Sequence, residues 1–234
     1  MNVLSEAFIW LNDPLNWSGP SGIVSLTIEH LWMSALALAL AFIIAIPTGM
    51  ALARSERGGG ITVILANTSR AFPTLALLTV FAITSIGFGN TATVLAVAAF
   101  AIPPILTNVY VGMREVDRAV LDAGAGMGFT PTKALLTIQM PLAAPTIFAG
   151  VRTSAVQSVA TVPLAALVGG GGLGVIIVTG MSNQNYGKAL AGGVLVALVC
   201  LALEGVLALI QRLIGRDRTA RRQKNTNKRL SGVS

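Results

Sequence analysis

Five stretches of this chain, at about 31–53, 61–86, 92–113, 143–168 and 189–210, are apolar over lengths that suit a bilayer crossing, and they leave little sequence for anything else. A helix rises about 1.5 Å per residue, so roughly 20 apolar residues cover the roughly 30 Å of hydrocarbon. Repeating that pattern excludes an ordinary soluble domain: 54% of the residues are hydrophobic, only 11% are charged, and mean hydropathy is +0.76. The expected fold class is therefore all-α and integral to the membrane, with about five transmembrane helices.

Charge then sets the orientation. Residues 1–22 hold Glu6 and Asp13 but no Lys or Arg, and Trp10 and Trp17 suit a membrane–water boundary. This segment is placed outside, and with no basic region ahead of an apolar core no cleaved leader is expected. Arg54 and Arg57 close the first span and mark its cytoplasmic end. The net charge of +7 does not point to nucleic acid, because eight of the sixteen Lys and Arg residues lie between Arg212 and Arg229. They read as a polar, disordered cytoplasmic tail over 215–234, attracted to anionic inner-leaflet lipid. With uncharged outer loops at about 87–91 and 169–187, the N-terminus falls outside and the C-terminus inside. The permeating body is then 23–214.

Several polar or helix-breaking residues sit within the apolar stretches. Pro47 is positioned to kink the first. Asn67, Arg70 and Pro73 rule out a uniform lipid-facing helix in the second, and Arg70 belongs at the cytoplasmic edge or against protein. Pro103-Pro104 is expected to break the third span midway. Thr107, Asn108 and Tyr110 follow the break, either lining a cavity or serving a kink and interhelical hydrogen bonds. In the fourth, Ser154, Gln157, Ser158 and Thr161 recur at three- and four-residue spacing on one face, which is either a helix–helix seam or a translocation surface. Glu204 in the last span needs protein around it, and Arg70 and Arg152 are both candidate partners. His30, beside Glu29, is read as an interfacial or packing residue, and Cys200 as a small core residue.

Between the third and fourth spans lies a polar, glycine-rich loop, about 115–141. Val116, Ala119, Val120, Ala123 and Met127 share one face of a helix expected over 115–124. Gly124, Gly126 and Gly128 then weaken that helix, and Thr130-Pro131 starts a second one, with threonine as cap and proline at the first position. Two short helices around a corner of little bulk form a surface that another protein can approach closely.

Asp122-Ala123-Gly124, three residues, Gly128, nine residues and then Ile138-x-Met140-Pro141 resembles the EAA loop of bacterial ABC-importer permeases, with every spacing kept. Asp122, Gly124 and Met140 stand where that family usually has Glu, Ala and Leu. Arg70-Ala-Phe-Pro-Thr-Leu-Ala-Leu-Leu78, Ile86-Gly-Phe-Gly89, Gly150-Val-Arg-Thr153 and Gly169–Gly172 with Leu173-Gly174 are similar to the permeases of osmoprotectant importers, which carry glycine betaine, carnitine or choline. The likeness covers about 23–214. It implies a type I importer fold of the MetI-like kind, in which Asp122, Ala123, Gly124, Gly128, Ile138 and Pro141 couple to an ATPase. The expected translocation path includes Asn108, Tyr110, Ser154, Gln157, Ser158 and Thr161. The resemblance also implies two ABC ATPase subunits, a substrate-binding protein outside, and a second permease copy or a related permease.

Catalytic chemistry is not expected of the chain itself. No Ser/His/Asp set or paired carboxylates occur, and His30 is the single histidine. The glycine runs at 169–174 and at Gly124-x-Gly126-x-Gly128 lack the strand, and the first also lacks the Gly-Lys-Ser/Thr sequence, that a phosphate cradle needs; both read as turns. ATP and magnesium are accordingly expected in the partner ATPase, and no cofactor in this chain. Two other readings stand beside a compatible-solute permease: an ABC permease for another small solute such as an amino acid, and a stand-alone secondary transporter. The latter needs connected intramembrane acids, and Glu204 is nearly isolated in sequence.

Overall fold

The computed structural model describes the backbone of residues 2–71 and 73–230, and the side chains of these except at 68–71 and 213–230. Ten α-helices are described: α1 (Val3–Asn12), α2 (Ile23–Arg54), α3 (Gly58–Ala71), α4 (Thr74–Ile83), α5 (Asn90–Arg114), α6 (Arg118–Gly126), α7 (Pro131–Ala134), α8 (Met140–Thr161), α9 (Gly174–Ser182) and α10 (Tyr186–Leu230). A π-helical turn, Leu135–Gln139, fuses α7 to α8, and a 3-10 segment, Val162–Val168, continues α8. Four continuous helical runs are long and apolar enough to cross a membrane: Ile23–Arg54, Asn90–Arg114, Pro131–Val168 and Tyr186–Arg212.

The central packing is α5 against α2 on one side and α8 on the other. On α2 the buried residues Met33, Ala37, Ala41, Ala45, Gly49 and Ala53 recur every fourth position. Such a row of small side chains lets two backbones approach, which in a bilayer replaces hydrophobic burial as the basis of association. The approach is close at Gly49, where an added Cβ would stand 2.8 Å from the Val109 Cβ and 3.0 Å from the Leu106 carbonyl oxygen. Gly112 does the same for α8, where a Cβ would meet the Ala143 carbonyl at 3.1 Å.

The helices depart from the sequence pattern in several places. The first span begins at Ile23 rather than Leu31, because the polar Glu29 and His30, which break the apolar pattern, sit within the helix and find protein partners, Glu29 at Asn90 and Gly172 and His30 at the Val159 carbonyl. The second region is two short helices, α3 and α4, separated at 72–73, with Pro73 as the N-cap of α4; the Arg70 side chain lies outside the described residues. Pro103-Pro104 does not break α5. The helix runs through both prolines, losing two amide donors without losing its path. Asp117 lies outside the helix expected over 115–124 and caps α6 instead, its carboxylate accepting from the Ala119 amide at 2.9 Å. Helix α6 also continues through Gly124 to Gly126.

Residues 1–22 and 169–187 hold more structure than loops. Helix α1 packs on α10, and α9 docks so tightly that a Cβ on Gly180 would lie 2.5 Å from the Ala189 amide nitrogen. Backbone helix also continues to Leu230, through most of the tail expected to be disordered.

At the end of the bundle holding these segments, a polar clamp joins three elements. The Glu29 carboxylate accepts from Asn90 Nδ2 at 2.7 Å and from the Gly172 amide at 3.0 Å, while Asn90 Oδ1 accepts from the Gly171 amide at 2.8 Å. Gly169 and Gly172 have positive φ of 71° and 80°, so the glycine run is the turn the sequence suggested. Gly171 must lack a side chain, since a Cβ there would occupy the place of the Glu29 carboxylate.

Candidate coupling loop and translocation cavity

The loop between α5 and α8 ends its first helix in a Schellman motif. Gly128 takes φ +80°, its amide donates to the Ala125 carbonyl at 2.9 Å, and the Phe129 amide donates to the Gly124 carbonyl at 3.1 Å. These bonds satisfy carbonyls the helix end would leave open. Thr130 then caps α7 through its hydroxyl, which accepts from the Lys133 amide at 3.3 Å, with Pro131 at the first position as expected. Lys133 lies over the Phe129 ring at 4.4 Å and stiffens the corner.

Two contacts fix this hairpin to the bundle. Val116 and Leu135 are buried in the cluster that holds Ala53, Met113 and Ala143, and Gln139 Nε2 donates to the Met113 carbonyl at 3.1 Å. Inside the hairpin, Gly124 is buried against Ile138: a Cβ on Gly124 would come 2.7 Å from Ile138 Cδ1. The remaining apolar positions look outward. Ala119, Val120, Ala123 and Met127 are all exposed, as are Asp122, Gly128 and Pro141.

A second feature lies between α3, α5 and α8. A cavity of about 210 Å³ is lined by Ala66, Phe100, Pro104, Thr107, Asn108, Thr153 and Gln157, and a neighbouring one of about 290 Å³ by residues that include Gly59, Asn67, Thr107 and Tyr110. Asn108 is seated by Gly150, since a side chain on Gly150 would collide with it. Among the described residues the first cavity's wall mixes apolar Ala66, Phe100 and Pro104 with uncharged polar side chains. Thr107, Asn108 and Thr153 turn donors back to the carbonyls of Pro103, Pro104 and Ala149 at 2.7, 2.9 and 3.0 Å.

The predicted polar face of α8 divides. Gln157 reaches the cavity, but Ser154 and Ser158 are buried in the seam with neighbouring helices, Ser154 donating to the Ala101 carbonyl at 3.4 Å. Thr161 bonds to the Gln157 carbonyl of its own helix. Of the six residues expected on the path, the two cavities bring together Asn108, Tyr110 and Gln157; Ser154, Ser158 and Thr161 do not join their walls. Phe100, Thr153 and Ala66 also line the first cavity, and no local sequence signal marks them.

The remaining polar groups find partners elsewhere. Arg152 is bound by Glu204 through both carboxylate oxygens, one of them at 3.1 Å, and by Gln211 at 2.6 Å, which settles the choice left open for Glu204. His30 is fully buried, with Nε2 2.9 Å from the Val159 carbonyl, so it packs α2 on α8. Among the described residues no group of His, Cys, Asp and Glu could hold a metal ion.

Residues 43–216 match the family of the binding-protein-dependent transport system inner membrane component. The chain belongs to this family. Among similar proteins, the choline transport system permease protein OpuBB of Bacillus subtilis (strain 168) is 35% identical, covering 80% of this chain and 85% of that protein. The carnitine transport permease protein OpuCD of Listeria monocytogenes is 38% identical, with 80% and 83% covered, and the osmoprotectant import permease protein OsmW of Salmonella typhimurium 31%, with 81% and 90% covered. A subunit of the MetNI methionine ABC transporter, solved in inward-facing conformations, superposes with a TM-score of 0.71 at 22% identity, covering 82% of this chain and 95% of that one. That superposition shows a shared fold. This inner-membrane component is thus a multi-pass, all-helical permease of the MetI-like fold.

Proposed function

We propose that this permease is the membrane subunit of an ATP-driven importer for compatible solutes of the quaternary-amine type, such as glycine betaine, carnitine or choline. The observation that carries the reading is the set of relatives with those cargoes in their names, 31–38% identical across about 80% of the chain. In this reading the 115–141 hairpin lies in the cytoplasm and offers Val120, Ala123 and Met127 to a separate ATPase, around Asp122 and Gly128. The Schellman turn keeps the knob rigid, so that a push from the ATPase moves α5 and α8 instead of bending the loop. ATP and magnesium reside in that partner. A binding protein docks outside, and a second permease, identical or related, completes the pathway.

The N-terminus is then outside and the C-terminus in the cytoplasm. Vesicles holding the complete complex test the reading. Uptake of labelled glycine betaine or choline is expected to require both internal ATP and the external binding protein. Uptake driven by an ion gradient without ATP would overturn it.

A further inference from the structure

Gln157 differs from every other polar side chain in the 210 Å³ cavity. Thr107 and Thr153 have each committed their single hydroxyl proton to a carbonyl of their own helix, and Asn108 has committed one amide hydrogen. Toward the cavity the threonines can therefore only accept. The Gln157 side-chain amide makes no hydrogen bond among the described residues and is not sealed from the cavity, so both its donors and its acceptor stay open. A polar group at membrane depth without a partner is costly. A purely structural glutamine here would fold back as its neighbours do.

Charge is also kept out of this wall. The nearest cation on α8, Arg152, is turned to Glu204 and Gln211 of α10, and among the described residues no lining side chain carries a charge. Phe100 adds an aromatic ring, whose face attracts a cation.

We infer that this cavity is a solute site in which Gln157 is a specificity-determining contact. Its amide N–H groups receive the carboxylate end of a zwitterionic solute, while the quaternary ammonium lies toward Phe100 and the accepting threonine oxygens. An uncharged cavity suits such a molecule, whose charges balance internally. A hydroxyl-ended cation such as choline brings no anion for the amide to hold. This rests on the compatible-solute reading and adds to it the residue that separates carboxylate-ended from hydroxyl-ended cargo.

The test uses the reconstituted complex with its binding protein, and labelled glycine betaine and choline as probes. Gln157→Glu keeps size but replaces donors with a negative charge, so betaine uptake should fall at least tenfold more than choline uptake. Gln157→Leu, without donors or charge, should shift the ratio in the same direction by a smaller factor, and it serves alone if the Glu variant does not assemble. If wild type carries only one probe, the expectation is loss of betaine uptake in both variants or retention of most choline uptake. An unchanged ratio, or a shift toward betaine, overturns the assignment of Gln157 alone. Failure of wild type to carry either probe overturns the solute reading beneath it.

Discussion

Gly124 and Ile138 meet so closely that neither can be understood alone. Alanine at 124 should add about 1 kcal/mol of helix propensity to α6, yet its Cβ would press on Ile138 Cδ1 at 2.7 Å. Ile138→Val removes that methyl and by itself costs about 0.5–1.5 kcal/mol. In a four-cornered cycle measured by thermal unfolding in detergent, the double variant is expected to be more stable than the sum of the singles by about 0.5–1 kcal/mol, in the range seen for touching pairs. Strict additivity would mean that Ile138 swings aside freely and that glycine is not needed here for packing. Glycine at 124 is thus a local fit between two loop positions.

At the scale of helices, Arg152 and Glu204 tie α8 to α10 where few other polar contacts join them. Removing one partner leaves the other charged in a low-dielectric setting, whereas removing both leaves two apolar surfaces that can pack. Glu204→Leu is therefore expected to lower the unfolding temperature and the yield of monodisperse protein more than the Arg152→Leu/Glu204→Leu pair does. A double variant worse than either single would sink this account. These elements also show what was legible from sequence. The caps at Thr130-Pro131 and the turns at Gly128 and Gly169 could be read, because their chemistry is local. Helices α1 and α9 could not: they are too short to register as spans, and they are held by contact with α10. The row from Met33 to Ala53 escaped because a hydropathy profile registers both Ala and Leu as apolar, while it is their sizes that decide where helices touch. Spacing alone put Ser154, Gln157 and Ser158 on one face; only the positions of α3 and α5 divide that face into seam and cavity.

For the molecule as a whole, everything proposed depends on which side of the membrane holds the hairpin. The helical runs 23–54, 90–114, 131–168 and 186–212 are each long enough to cross, and α3 with α4 makes a broken passage between the first two. Helices α2 and α5 both start at the Glu29–Asn90 clamp, so α3 with α4 returns the chain from the far end of α2, and the hairpin at the far end of α5 lies on the opposite face from the glycine clamp. Arg54 and Arg57 beside one end, and uncharged segments around Asn183 at the other, favour the hairpin inside. Replacing the free Cys200 by alanine and placing single cysteines at exposed Thr132 or Asn183 tests this directly. A membrane-impermeant maleimide added to intact cells should label position 183 at once and position 132 only after lysis. Labelling of 132 in intact cells would put the hairpin beyond the reach of any cytoplasmic ATPase, and an ATP-driven mechanism through it would be lost.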